Sequence, residues 1–152
     1  MKILPISKTF PAWHPRRGEP TGFAEKILSG EKIHTLRENK GGYYKDGDIV
    51  SIRQWPGKPY ERGTRPEVIR DGVRIGVVPV RLQMISARFW LNLIAKATVS
   101  RDELDIDLFL IAQYDGLSKT DLCEWFFPNW NYSRGSQAWD GYIIHFTDFR
   151  YT

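Results

Sequence analysis

The apolar positions of the first forty residues change period twice. Residues 2–7 alternate as a short strand, and residues 9–21, broken by Pro11, Pro15, Gly18 and Pro20, read as a loop. Thr21 then caps a predicted helix whose apolar side carries Phe23, Ala24, Ile27 and Leu28, and Gly30 ends it. Residues 33–37 predict a strand, Gly41 and Gly42 a loop, and residues 48–55 a strand entered from the Asp46-Gly47 turn. A long loop rich in Gly, Pro and Arg follows over residues 56–66. Asp71-Gly72 reads as a two-residue hairpin turn between strands at 67–70 and 73–85, and more strand is expected over 89–101 with a break near Asn92. Residues 107–114 predict a helix stopped by Asp115-Gly116. Ser118, with Asp121 three residues on, starts another through Leu122, Trp125 and Phe126 that Pro128 closes. Residues 141–146 alternate Tyr142, Ile144 and Phe146 against Ile143, His145 and Thr147, the pattern of a half-buried strand. Many strands with two or three peripheral helices predict an α+β domain, a small curled β-barrel.

Composition narrows the setting. A length of 152 residues, 41% of them hydrophobic, fits one domain over the whole chain, with no repeat and no dividing linker. Such a domain buries roughly 70% of its unfolded surface and needs no crosslink. The single cysteine, Cys123, excludes an internal disulfide and a thiolate zinc site, which places the chain in a reducing compartment, the cytoplasm. No run of apolar residues is long enough to span a bilayer, and Lys2 and Pro5 interrupt the start, so neither membrane insertion nor secretion is expected. Charge is uneven: residues 1–100 carry 18 Lys or Arg against 9 Asp or Glu, and residues 101–152 carry 4 against 9. That asymmetry points to an anionic partner on one side, nucleic acid first, although a solvated basic surface has the same composition.

The candidate chemistry lies in Gly30-Glu-Lys32-Ile-His34-Thr35-Leu-Arg37, followed by Gly47-Asp48 and an apolar strand. A period of two places Lys32 and His34 on one face and Thr35 and Arg37 on the other. With Lys32 still in the glycine turn, its long side chain swings toward the threonine.

Helix, glycine, then Lys-x-x-Thr-x-Arg before Gly-Asp resembles the ASCH domain of the PUA-like superfamily. The resemblance is clear over residues 23–52 and continues more weakly through residues 112–122 and 142–146. It implies a PUA-like β-barrel with a cleft. Members include RNA-binding modules, reported ribonucleases and small bacterial amidohydrolases that deacetylate N4-acetylcytidine with a lysine, a threonine and a glutamate. Those residues fall on Lys32, Thr35 and Asp115, where an aspartate replaces the family's glutamate. Its carboxylate is one methylene shorter, and misplacement by about 1 Å can cost about 100-fold in rate. The resemblance implies Thr35 as nucleophile, Lys32 with a depressed pKa as its base, and Asp115 orienting the lysine or shuttling a proton. Backbone N–H groups near Gly30 or the Arg37 guanidinium would stabilise the oxyanion.

Each residue also admits a plain structural role: an exposed lysine, a strand threonine, an arginine bracing a carboxylate such as Asp48, or a turn aspartate beside Gly116. His34 is a second base, a base-stacking group or a structural histidine. The histidines His14, His34 and His145 lack metal-type spacing, so neither metal nor cofactor is expected. Residues 40–65 interleave cations and aromatics, with Tyr43, Tyr44, Lys45 and Arg53 as candidate contacts to single-stranded RNA or a modified nucleoside. Trp55 reads as core, and His14, Arg16 and Arg17 as rim. A second aromatic cluster, Trp125, Phe126, Phe127, Trp130 and Trp139, reads as core packing or as a lid over a planar ligand. An RNA- or nucleoside-binding domain and an N-acylcytosine amidohydrolase are the two function classes that use this cleft. Ribonuclease activity ranks last, because no acid and base pair stands out.

Overall fold

Side-chain caps and left-handed glycines delimit the helices of the computed structural model, which describes residues 1–86, 93–99, 104–128 and 136–152. Helix α1, Phe23–Ser29, starts from Gly22 rather than Thr21 and ends at Gly30, whose φ is 84°. Thr21 still serves the helix start: its Oγ1 accepts from Phe23 N at 3.3 Å and donates to Ser7 O at 2.8 Å. Asp107 caps α2, Leu108–Asp115, by accepting from Phe109 N at 3.0 Å, and Gly116, φ 81°, closes it. Ser118 caps α3, Lys119–Phe126, by accepting from Asp121 N at 3.1 Å.

The strands are β1 (Lys2–Pro5), β2 (His34–Arg37), β3 (Ile49–Gln54), β4 (Glu67–Arg74), β5 (Gly76–Ser86), β6 (Leu93–Val99), β7 (Leu104–Asp107) and β8 (Gln137–His145). They form two sheets, ordered β1-β3-β4 and β2-β8-β5-β6-β7, with β1 and β3 parallel and every other pair antiparallel. The α+β class therefore stands, but the described strands make two open sheets and no closed barrel. Parts of the strand expected over 89–101 lie outside the described residues, as does Trp130.

Two expectations are corrected. Asp71-Gly72 is not a hairpin turn. Residues 67–74 run as one strand against β3, where Val50 pairs Val73 and Ile52 pairs Arg70, so Ser51 alone faces Asp71 and Gly72. This is a bulge, with Gly72 at φ 66° taking the left-handed residue and the Ser51 hydroxyl donating to the Asp71 carboxylate. Nor is β8 half-buried toward its end: Ile143, Ile144 and His145 are all fully buried. The reason is that β8 lies between β2 and β5 with a hydrophobic cluster on each side. On one side Ile143 joins Leu36, Leu82, Ala97, Leu108, Ile111 and Leu122 under α2 and α3. On the other, Ile144 joins Leu4, Phe23, Ile27, Val50, Ile52 and Ile75 under α1 and the smaller sheet. Among the described residues no helix is long and apolar enough to cross a membrane.

Candidate functional site

The end of α2 is where the sequence-separated segments converge. A helix leaves its last carbonyls without intrahelical donors. Here Ile33 N donates to Tyr114 O at 2.9 Å, Lys32 Nζ to Asp115 O at 2.7 Å and Lys26 Nζ to Gly116 O at 2.7 Å. The two ammonium groups also complement the negative end of the helix. Gly116 is required twice over: its φ is left-handed, and a Cβ there would come within 3.3 Å of Lys32 Cβ.

Lys32 and Asp115 are brought together. Lys32 Nζ donates to Asp115 Oδ1 at 3.1 Å, with side-chain exposures of 0% and 6%. The aspartate carboxylate is long enough to reach the amine directly. Lys32 Nζ also sits 4.2 Å from the centroid of the Phe23 ring, which supplies a π face in place of water. Burial lowers the Lys32 pKa, with Asp115 opposing the shift.

Thr35 and Arg37 border a cavity of about 160 Å³ together with Asp115, Phe23, Leu117, Trp125 and Phe126. Lys32 does not line it. The lysine contacts Asp115 and Phe23, both of which do. Thr35 is partly exposed and hydrogen-bonds to neither Lys32 nor Asp115. Arg37 does not brace Asp48, which pairs instead with Lys2 at 2.7 Å. Its guanidinium donates to the carbonyl of Pro5, while its Nε, shielded from solvent, has no hydrogen-bond partner. Burial lowers the Arg37 pKa.

His34 is fully buried. Its Nε2 is 2.6 Å from the Tyr151 hydroxyl and its Nδ1 is 3.4 Å from Asp115 Oδ1. It faces Asp115 and Tyr151 and lines neither the cavity beside Asp115 nor the depression at Tyr43 and Tyr44. His145, its register partner on β8, packs edge-on against it at 5.5 Å between ring centroids. Both His145 ring nitrogens are buried without partners, and burial lowers its pKa to about 3. The neutral ring is favoured in the folded state, whereas the unfolded chain binds a proton below about pH 6.5. Stability due to His145 is therefore complete above that pH and falls as pH drops from about 6.5 toward 3, by at most about 1.4 kcal/mol per pH unit. In urea titrations at pH 7.5 and pH 5, His145→Phe is expected to lose less stability on acidification than the parent. An equal loss in both would remove His145 as the cause.

The other candidates lie apart. Tyr43 and Tyr44 line a separate open depression of about 430 Å³ with Ile3, Pro5, Trp55 and Tyr60. Tyr43 is 54% and Tyr60 81% exposed. Trp55 is thus in this aromatic depression and not core. Tyr44 is tethered, its hydroxyl donating to Ile3 O at 2.7 Å, and burial raises its pKa. Lys45 is exposed but lines neither space, and Arg53, also outside both, donates to Ser51 Oγ at 2.8 Å. The Arg37–Pro5 contact separates the two spaces. His14 is buried and structural, with Nε2 3.0 Å from Asp121 O and Nδ1 accepting from Arg16 N. Arg16 pairs with Asp121 at 2.6 Å.

Trp125 and Phe126 do border the cavity, and Trp125 also packs against Phe10, His14 and Phe23. Trp139 packs on Phe126 with centroids 4.5 Å apart. Sequence reasoning missed Phe23 as the aromatic wall beside Lys32, since its helical spacing signals only core. It missed Tyr151 entirely, because no periodic pattern reaches it. Among the described residues no group of three or more His, Cys, Asp or Glu side chains is placed to hold a metal ion. Comparison of the chain with protein-family models, curated proteins and solved structures gives no significant match in any of the three.

Proposed function

We propose that this chain is an ASCH-like, PUA-like domain that binds a modified nucleoside in the cavity beside Asp115 and hydrolyses an N-acyl cytosine nucleoside. The observation that carries it is the buried Lys32–Asp115 pair behind a small cavity that Thr35, Arg37 and aromatic rings complete. A cavity of about 160 Å³ is smaller than the roughly 300–1,000 Å³ of sites for whole drug-sized ligands, so it suits an acylated base with the sugar left outside.

In this reading Thr35 Oγ attacks the acyl carbon, and its proton passes to the Asp115 carboxylate, backed by Lys32. Lys32 is not itself the base: its ammonium donates to Asp115 Oδ1 and to the Asp115 carbonyl and so holds the carboxylate ionised until the threonine proton arrives. Arg37 borders the same cavity, and its guanidinium is the group nearest to hand for an oxyanion formed there. The C–N bond breaks as the leaving cytosine nitrogen takes the proton, and water then cleaves the threonine ester to release acetate.

A second reading, a non-catalytic single-stranded RNA module, draws on the exposed rings of Tyr43 and Tyr60 and on the cations around them. One experiment separates the two. The hydrolase reading expects acetate release from N4-acetylcytidine by the purified chain. No release, together with oligonucleotide affinity that falls with salt by a slope of about 0.7 per phosphate contacted, would favour the RNA module.

A further inference from the structure

The geometry points to Tyr151 as a positioning residue that locks His34 in the tautomer carrying its proton on Nδ1, so that His34 fixes the orientation of the Asp115 carboxylate. This rests on the reading of Asp115 as the carboxylate that serves the cavity.

The argument is one of donors and acceptors in a closed space. An ionised carboxylate only accepts. With Nδ1 3.4 Å from Asp115 Oδ1, a lone pair on that nitrogen would face a lone pair on the oxygen, whereas an N–H there faces it favourably. A neutral imidazole carries a single N–H, so placing it on Nδ1 leaves Nε2 as acceptor. The partner at Nε2 is the Tyr151 hydroxyl, 2.6 Å away. Burial holds that phenol above its ordinary pKa, which keeps its proton available to donate. The sequence of contacts is then Tyr151 O–H to His34 Nε2, His34 Nδ1–H toward Asp115 Oδ1, and Lys32 Nζ to the same Oδ1.

Among the described residues, the Tyr151 hydroxyl is the hydrogen-bond partner of the imidazole. His34 Nδ1 makes no hydrogen bond of standard geometry, and His145 meets the ring only edge-on, with its own nitrogens unpartnered. The titratable groups around the pair are Lys32 and Asp115, His145 on β8, and Tyr114, Arg150 and Tyr151 beyond it. Tyr151 itself does not line the cavity, so its influence on substrate is indirect.

The test is Tyr151→Phe, which keeps the ring's packing against Tyr114, His145 and Phe149 and removes only the hydroxyl. Nitrogen-15 NMR of His34 is expected to report the Nδ1-protonated tautomer in the parent and its loss in the variant. The carbon-13 chemical shift of the Asp115 carboxyl at fixed pH should change as well. On N4-acetylcytidine, kcat is expected to fall about 10- to 100-fold with KM within about twofold, the pattern of a misplaced catalytic group and not of a lost substrate contact. An Nε2-protonated His34 in the parent overturns the proposal whatever the activity. So does an altered tautomer with an unchanged Asp115 carboxyl signal. If the parent releases no acetate while the NMR changes appear, the positioning role stands and the hydrolase reading falls.

Discussion

Thr35→Ala is expected to lower kcat/KM for acetate release from N4-acetylcytidine by about 1,000-fold or more, the scale seen when a covalent nucleophile is removed. Stability should change by no more than about 1 kcal/mol, because the Thr35 hydroxyl makes no hydrogen bond to the buried pair and the residue is only partly buried. The two readouts diverge for a physical reason. Thr35 borders a cavity and takes no part in the Lys32–Asp115 bonds, so removing its hydroxyl leaves that buried pair intact. Thr35→Ser, which restores the oxygen, should recover most of the rate. A Thr35→Ala variant that retains full turnover removes Thr35 from the chemistry and with it the covalent route.

Lys32→Met has the opposite profile in stability. The lysine side chain is fully buried and gives Asp115 both a carboxylate and a carbonyl contact. Truncating one partner of a buried pair leaves an uncompensated charge, which costs about 3–5 kcal/mol. Among the described residues, the side-chain contact then left to the Asp115 carboxyl is the longer one to His34 at 3.4 Å. Chemical denaturation should show the loss directly. The double variant Lys32→Met, Asp115→Leu supplies the control, since replacing both charges by apolar side chains of similar volume is often neutral or stabilising. The double is therefore expected to be more stable than Lys32→Met alone. A double as unstable as the single would mean that the lysine acts through packing against Phe23 and not through charge.

How far the sequence reaches depends on the range of the interaction that decides each feature. Local chemistry was legible: Gly30, Gly116 and Ser118 bound their helices as their side chains and φ preferences dictate, while Asp107, read as the first helical residue, is the cap before it. Lys32 and Asp115, 83 residues apart, do meet, but no period or propensity in the chain contains that contact. Only the resemblance of the Lys-x-x-Thr-x-Arg segment joined them. Asp71-Gly72 failed as a turn because the same dipeptide serves a bulge when the partner strand continues on both sides. His34 was left open between ligand contact and structural role because its neighbours, Tyr151 and His145, come from the far end of the chain. The aromatic face divided in the same way: Trp55 looked internal from alternation along β3, yet the loop after that strand carries it beside Tyr60, with ring centroids 5.0 Å apart.

The placement of β8 between two hydrophobic clusters governs how this molecule can come apart. Ile143 belongs to one cluster and Ile144 to the other, so a single peptide unit joins them. Neither half can melt alone without stripping one side of that strand. Amide protons of residues 143–145 are accordingly expected to exchange with solvent only through global unfolding, and any breathing that admits a base to the cavity has to arise in the segments around the sheets, not by parting them.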